Sequence, residues 1–152
     1  KSRSTASKEN EMGTISKDFS YREFERSEVA DAKRICNVIT SFEVRDSIQA
    51  LTENVLQPLR DAWGKPLKVN SGYRCKALNA AVGGAPTSQH LKGEAADIAA
   101  GDPVKLARLA VKLGLPFDQM ILYPTFVHFS HRLNGEQRGQ ICYNWRYTGE
   151  KV

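Results

Sequence analysis

The chemistry-bearing residues of this chain fall in two short segments. His90 and Asp97 lie in Ser88-Gln89-His90-Leu91-Lys92-Gly93-Glu94-Ala95-Ala96-Asp97, and His128 lies in Phe126-Val127-His128-Phe129-Ser130. Two imidazoles and a carboxylate are the ligand set of an open catalytic zinc site, whose fourth position is left to water or substrate. The same donors suit zinc better than calcium, which prefers an all-oxygen shell. The chain contains 3 histidines, and the remaining one, His131, stands just past the second segment.

The spacing says which elements must carry these ligands. His90 and Asp97 are too far apart for the i, i+4 pair of a zinc-binding helix. They fit a ligand on a loop followed by a ligand on the next strand, with Gly93 free to take a positive φ in the turn between them. On that strand Asp97 shares a face with Ala95, while Glu94 and Ala96 point the other way. The small alanines leave room for a metal and a peptide. In the second segment Phe126, His128 and Ser130 share one face, and Val127 and Phe129 form an apolar face that reads as core. Either histidine alone reads as a structural side chain. The combination carries the metal assignment.

The other elements follow from periodicity and punctuation. Ser20-Tyr21-Arg22-Glu23 is a capping box opening a short helix, with Phe19 and Phe24 placed as a hydrophobic staple. Val44, Ile48, Leu51, Val55, Leu56, Leu59 and Trp63 recur at helical spacing and predict a helix over 43–63, kinked at Pro58 and stopped by Gly64-Lys65-Pro66. Residues 67–70 read as a strand, Ser71-Gly72-Tyr73-Arg74 as a turn, 76–82 as a helix, 83–86 as a loop and 95–99 as a small-residue strand. Asp102-Pro103 is a strong helix start, leading to a helix that ends at Gly114. Strands are predicted near 118–123, 126–131 and 139–145. Helices interleaved with a small antiparallel sheet give an α+β domain over 18–152. Residues 1–17, polar and poor in apolar side chains, read as a flexible tail.

Composition sets outer bounds. A chain of 152 residues with 41% hydrophobic content is enough for one domain with a real core. No apolar stretch approaches a membrane span, so membrane insertion is not expected. The net charge of +5 reads as a mildly basic surface, with attraction to an anionic partner such as cell wall as the alternative. The basic residues are scattered and phosphate-cradling loops are absent, so a nucleic-acid partner is not expected. Cys36, Cys75 and Cys142 show no CxxC spacing and read as buried free thiols, with one disulfide left open for an exported protein.

Taken together, Ser71-Gly72-Tyr73-Arg74, the Ser88–Asp97 segment and Phe126–Ser130 resemble the zinc D-Ala-D-Ala carboxypeptidase family, in its carboxypeptidase-like branch. That family also includes D-Ala-D-Ala dipeptidases and peptidoglycan endopeptidases of phage endolysins. The resemblance takes in Phe19–Ala30, Leu56–Arg60 and Phe117-Asp118-Gln119, and so spans roughly 18–145. It implies a Hedgehog/D-Ala-D-Ala-peptidase-like α+β fold, with His90, Asp97 and His128 as zinc ligands. It also implies that Arg74 contacts the substrate near the scissile bond, a role that suits a permanent bidentate donor. Ser88 and Gln89 are placed to orient ligands or bind substrate, and Tyr73 to line the cleft or, equally, to pack in the core.

One position departs from the family pattern. A zinc hydrolase needs a base for its water. Relatives carry a Glu shortly before the last ligand, or a His two residues before it. Here those positions hold Tyr123 or Thr125, and Phe126. Tyr123 is the candidate catalytic residue at that site, as a hydrogen-bond donor rather than a base, since a phenol titrates near ~10. Asp118, Glu94 and His131 have the wrong strand parity.

The implied activity is a zinc metallopeptidase, carboxypeptidase or endopeptidase, cutting D-amino-acid-containing peptidoglycan peptides. The implied setting is outside the cytoplasm or at phage lysis, and the expected form is a monomer. The alternative is a zinc-containing module that binds wall peptide without cutting it. A closed structural zinc site, with Cys75 or His131 as fourth ligand, is the third reading.

Overall fold

The computed structural model describes residues 13–152. The tail expected over 1–17 lies mostly outside the described residues. Its last part is not tail: β1 (Thr14–Ser16) pairs antiparallel with β2 (Phe19–Ser20), because Gln57 gathers Ser16, Asp18 and the backbone around them by hydrogen bonds.

The helical layer forms as its caps dictate. In α1 (Tyr21–Glu25) the Glu23 carboxylate accepts from the Ser20 amide at 3.0 Å, and Phe19 and Phe24 are buried on either side. Next come α2 (Glu28–Lys33) and α3 (Phe42–Leu51), capped by Ser27 and Ser41. The long predicted helix continues from α3 through a π-helical turn (Thr52–Leu56) into α4 (Gln57–Trp63). Pro58 has no amide to give and its ring crowds the preceding turn, so that turn widens to accommodate it. Helix α4 ends at Gly64, with φ of 77°.

Five strands make the main sheet: β3 (Lys68–Ser71), β4 (Ala95–Ala99), β5 (Gln119–Leu122), β6 (Val127–Ser130) and β7 (Gln140–Tyr143), in the order β3-β4-β6-β5-β7. Between them lie α5 (Lys76–Ala81), a 3-10 turn (Gln89–Lys92) and α6 (Pro103–Lys112). Asp102 caps α6 and Pro103 opens it, as the sequence predicts. The fold class is α+β, but the sheet is not wholly antiparallel. Strand β7 passes beyond β5 and lies parallel to it. The cause is local to Asp118: its carboxylate takes the Arg138 amide, and its carbonyl takes the Gln140 amide, starting β7 beside the start of β5.

The two sheet faces have different fates. Val69, Ala96, Ile98, Met120, Leu122, Val127 and Phe129 point into the core against Ile48, Leu51, Leu59, Leu106 and Ala110. Asp97, Gln119, Ile121 and His128 lie on the other face, along an open cleft. Val127 and Phe129 have no exposed surface. Burying each contributes about 1.5–3 kcal/mol. A one-residue slip of β6 would trade them for His128 and Ser130, so burial on the core face fixes the orientation of the ligand face.

All three cysteines are free thiols, but they are not buried as expected: Cys36 is exposed and the other two are partly so. They lie in loops or toward the sheet edge rather than at core-facing positions. Among the described residues, no helix is long and apolar enough to cross a membrane.

Candidate metal centre and its cleft

Strand pairing brings two of the three candidate ligands together. Asp97 and His128 are directly opposed in the β4–β6 ladder. The His128 Nδ1 lies 2.9 Å from Asp97 Oδ1. The third ligand arrives on the 3-10 turn, where the Ser88 hydroxyl accepts from the His90 amide at 3.2 Å. Gly93 closes that turn with φ of 75°, and a Cβ there would stand 2.8 Å from the Val44 carbonyl oxygen. Only glycine satisfies both the conformation and the close approach of α3.

The Ser71–Arg74 turn serves the site at each residue. The Gly72 carbonyl accepts from His90 Nδ1 at 2.6 Å. Gly72 itself is pressed on Phe24, leaving no room for a Cβ. The Tyr73 amide donates to Phe24, and the Arg74 amide to His90. The Arg74 guanidinium reaches Ser71 Oγ at 3.3 Å, Asn79 Oδ1 at 3.0 Å and Asp97 Oδ2 at 3.9 Å.

These contacts test whether the donors fit a metal. Because Gly72 accepts from His90 Nδ1, that nitrogen carries the proton, and neutral His90 presents the lone pair of Nε2. That lone pair faces Asp97 Oδ1 at 3.4 Å. A lone pair aimed at a carboxylate is repulsive unless a cation lies between them. The separation is also close to the ligand–ligand edge of a tetrahedral site with bonds of about 2.0–2.1 Å. One donor atom from each of His90, Asp97 and His128 lies within 4.8 Å of the others. The three residues are nearly buried, and the two rings meet edge to face. The donor set fits zinc. Neither Cys75 nor His131 belongs to the group, so the closed four-ligand arrangement is not formed among the described residues.

Electrostatics reinforce the centre. Burial alone would raise the Asp97 pKa, but the hydrogen bond with His128 and the adjacent His90 imidazole hold it well below the usual carboxylate range. Burial lowers the Arg74 pKa, opposed by the charge of Asp97. Tyr123 is raised above the ordinary phenol value by burial and then by Asp97, against Arg74. It therefore stays protonated at neutral pH, able to donate a hydrogen bond but not to serve as the base.

The cleft over the centre has a volume of about 910 Å³ and is lined by Arg74, Ser88, Gln89 and Tyr123 together with the three ligands. Tyr123 stacks on Phe126 with centroids 4.3 Å apart. Tyr73 is a correction. It is not among the lining residues and packs against the core, because its amide is tied to Phe24 and the chain turns Arg74, not Tyr73, toward the ligands. Glu94 is another. It lines the cleft despite its parity, because it precedes β4 at the bend made by Gly93. Its carboxylate is engaged by the Leu133 amide at 3.0 Å and by Gln89 at 3.3 Å. Asp118 is fully buried beneath the cleft.

Sequence reasoning missed Asn79, which sits in α5 at 4% exposure. Its Oδ1 accepts from Arg74, its Nδ2 donates to the Ala85 carbonyl at 2.9 Å, and its own carbonyl takes the Gly84 amide. A Cβ on Gly84 would stand 2.1 Å from Asn79 Oδ1. One side chain thus ties the guanidinium to the loop that walls the cleft. The sequence signal is an uncharged polar residue amid the alanines and leucine of a short helix.

Comparison with known proteins adds an independent line. A family model described as peptidase M15 matches residues 17–131. A zinc D-Ala-D-Ala carboxypeptidase of Streptomyces albus G is 51% identical over 47 residues, which are 30% of this chain and 18% of that relative. The match thus spans less than a fifth of that relative's length.

Proposed function

From its membership of the peptidase M15 family, we propose that the chain is a zinc-dependent metallopeptidase hydrolysing peptide bonds of peptidoglycan peptides, with His90, Asp97 and His128 holding the metal. The observation that carries this reading is the His90 imidazole, locked by Gly72 so that its free lone pair meets Asp97. Zinc at such a centre supplies Lewis acidity, polarising a carbonyl oxygen and making water a better nucleophile at neutral pH.

The chain's own residues supply orientation and charge. Arg74, fixed by Ser71 and Asn79, holds a planar fork of donors beside Asp97, where a substrate carbonyl or carboxylate would bind. Tyr123 remains protonated and donates a hydrogen bond to an oxygen gaining negative charge. Phe126, stacked on Tyr123, holds the phenol in place. His90 and His128 are kept from rotating by Gly72 and Asp97. The match to a zinc D-Ala-D-Ala carboxypeptidase supports D-alanyl peptides as the substrate class.

A second reading is favoured by one observation. The positions where relatives carry a carboxylate or imidazole hold Tyr123, Thr125 and Phe126, and the Glu94 carboxylate is already engaged. On that reading the domain binds wall peptide without cutting it. Zinc-loaded protein is incubated with purified peptidoglycan and the soluble products are analysed by mass spectrometry. New free amino termini or D-Ala, absent from the His90→Ala protein and after chelation, support the peptidase. Zinc-dependent binding to peptidoglycan without any released product supports the binding module.

A further inference from the structure

The cleft lining has a basic part that the proposed chemistry does not use. It comprises Lys92, Arg132 and Arg138, together with Gln119 and Asn134. Resting on the peptidase reading, we propose that it is a subsite for a free carboxylate on the substrate, flanking the scissile bond.

The case begins with Asp118. This fully buried carboxylate anchors both arginines. Its Oδ1 accepts the Arg138 amide at 2.9 Å and Arg138 Nε at 3.1 Å, and Arg132 Nε stands 3.2 Å from it as an ion pair. Its Oδ2 accepts Arg138 Nη2 at 2.8 Å and Gln89 Nε2 at 3.2 Å. All its acceptor capacity is spent, and one negative charge serves two guanidinium groups. The anchoring is on the inner edge of each fork. Among the described residues, both Nη atoms of Arg132, Nη1 of Arg138 and the Lys92 ammonium have no protein acceptor. Their side chains remain 39% and 44% exposed for Arg132 and Arg138, on the cleft side.

The local negative charge does not answer them. Glu94, in the same lining, is turned to the Leu133 amide and Gln89. Three cations with unused donors therefore line one cleft, two of them gathered on the same carboxylate. Two guanidiniums held rigidly by a buried anchor are organised in advance for a carboxylate, the planar anion that such forks bind best. Arg74 differs: Ser71, Asn79 and Asp97 hold it.

The carboxylate could come from an acidic side group or from the chain terminus of the peptide. Three short N-acetylated D-peptides separate these sources: one with an acidic side chain and an amidated end, one neutral with a free terminal carboxylate, and one neutral throughout. Binding of each to the zinc-loaded protein is followed by NMR titration, which needs no turnover. Wild-type protein is expected to bind one or both carboxylate peptides roughly tenfold tighter than the neutral one, the size of a single charge-assisted contact. Lys92→Gln with Arg132→Gln should reduce that preference to less than about twofold, and Lys92→Gln alone should reduce it in part. Arg138 is left intact because Asp118 needs it, and melting curves establish that the variants fold. Equal binding of all three peptides by wild type, or an undiminished preference in the double variant, overturns the subsite. Hydrolysis of the same peptides is scored separately. A carboxylate preference without cleavage retains the subsite and removes the peptidase reading, whereas cleavage without preference does the reverse.

Discussion

Replacing Asn79 tests how the site is held together. In Asn79→Ala, Arg74 loses the acceptor 3.0 Å from its Nη1, and the Ala85 carbonyl loses a donor at 2.9 Å. The side chain is 4% exposed, so water cannot readily replace either partner. A hydrogen bond to a charged group contributes about 1.5–3 kcal/mol. If that contact is what fixes the guanidinium against substrate, its loss lowers kcat/KM by roughly 10–100-fold. Asn79→Asp separates the two contacts. The carboxylate still accepts from Arg74, now with charge, but cannot donate to Ala85. Activity should then recover toward wild type while the 83–87 loop loosens. The assay is hydrolysis of a D-alanyl peptide by all three zinc-loaded proteins, with melting curves and zinc content measured in parallel. Wild-type kcat/KM in the folded Asn79→Ala protein, or equal losses in the Ala and Asp variants, refutes the positioning role.

Three further outcomes are expected. Protein purified without chelator should hold about one zinc per chain, as an open three-ligand site implies, and a His90→Ala, His128→Ala double variant should hold none by elemental analysis. Asp118→Asn should lower stability by roughly 3–5 kcal/mol, since it breaks a buried charge network, and lower Tm by about 10 °C or more with zinc still bound. Burial would raise the Asp118 pKa, but its bonds and charges from Arg138 and Arg132 pull it down to about 2 from 3.8. The stabilisation is therefore present above about pH 4 and lost as pH falls toward 2, so the Tm gap to Asp118→Asn should close over that window and stay constant from pH 5 to 8. Tyr123→Phe should cut kcat by roughly 10–100-fold with little change in KM or Tm, the signature of a donor used only in the transition state, and an unchanged kcat removes Tyr123 from the chemistry.

The candidate ligands that the fold brings together were legible in the chain because their placement on turn and strand depends on local pattern. The parity of Phe126–Ser130 tells which side of β6 meets the core, and burial of Val127 and Phe129 enforces it. Gly93 marks the turn between a loop ligand and a strand ligand, and its φ of 75° bears that out. The capping box at Ser20 and the Asp102-Pro103 helix start are equally local, since each involves residues within one helical turn. What periodicity could not supply was any relation between distant segments. That Asp97 faces His128, and not a neighbour, comes from strand register. That Asn79 holds Arg74, or that Asp118 at the start of β5 gathers Arg132 and Arg138 and so lays β7 parallel to it, comes from loops closing in space. Tyr73 and Arg74 are adjacent in one motif, and only the packing of Phe24 against Gly72 decides which of them faces the ligands. Sequence alone determined which donors this protein possesses, because side-chain chemistry and local backbone preference are properties of short segments. Tertiary structure alone decided which donors remain free, because a polar group's availability depends on partners that the chain brings from tens of residues away.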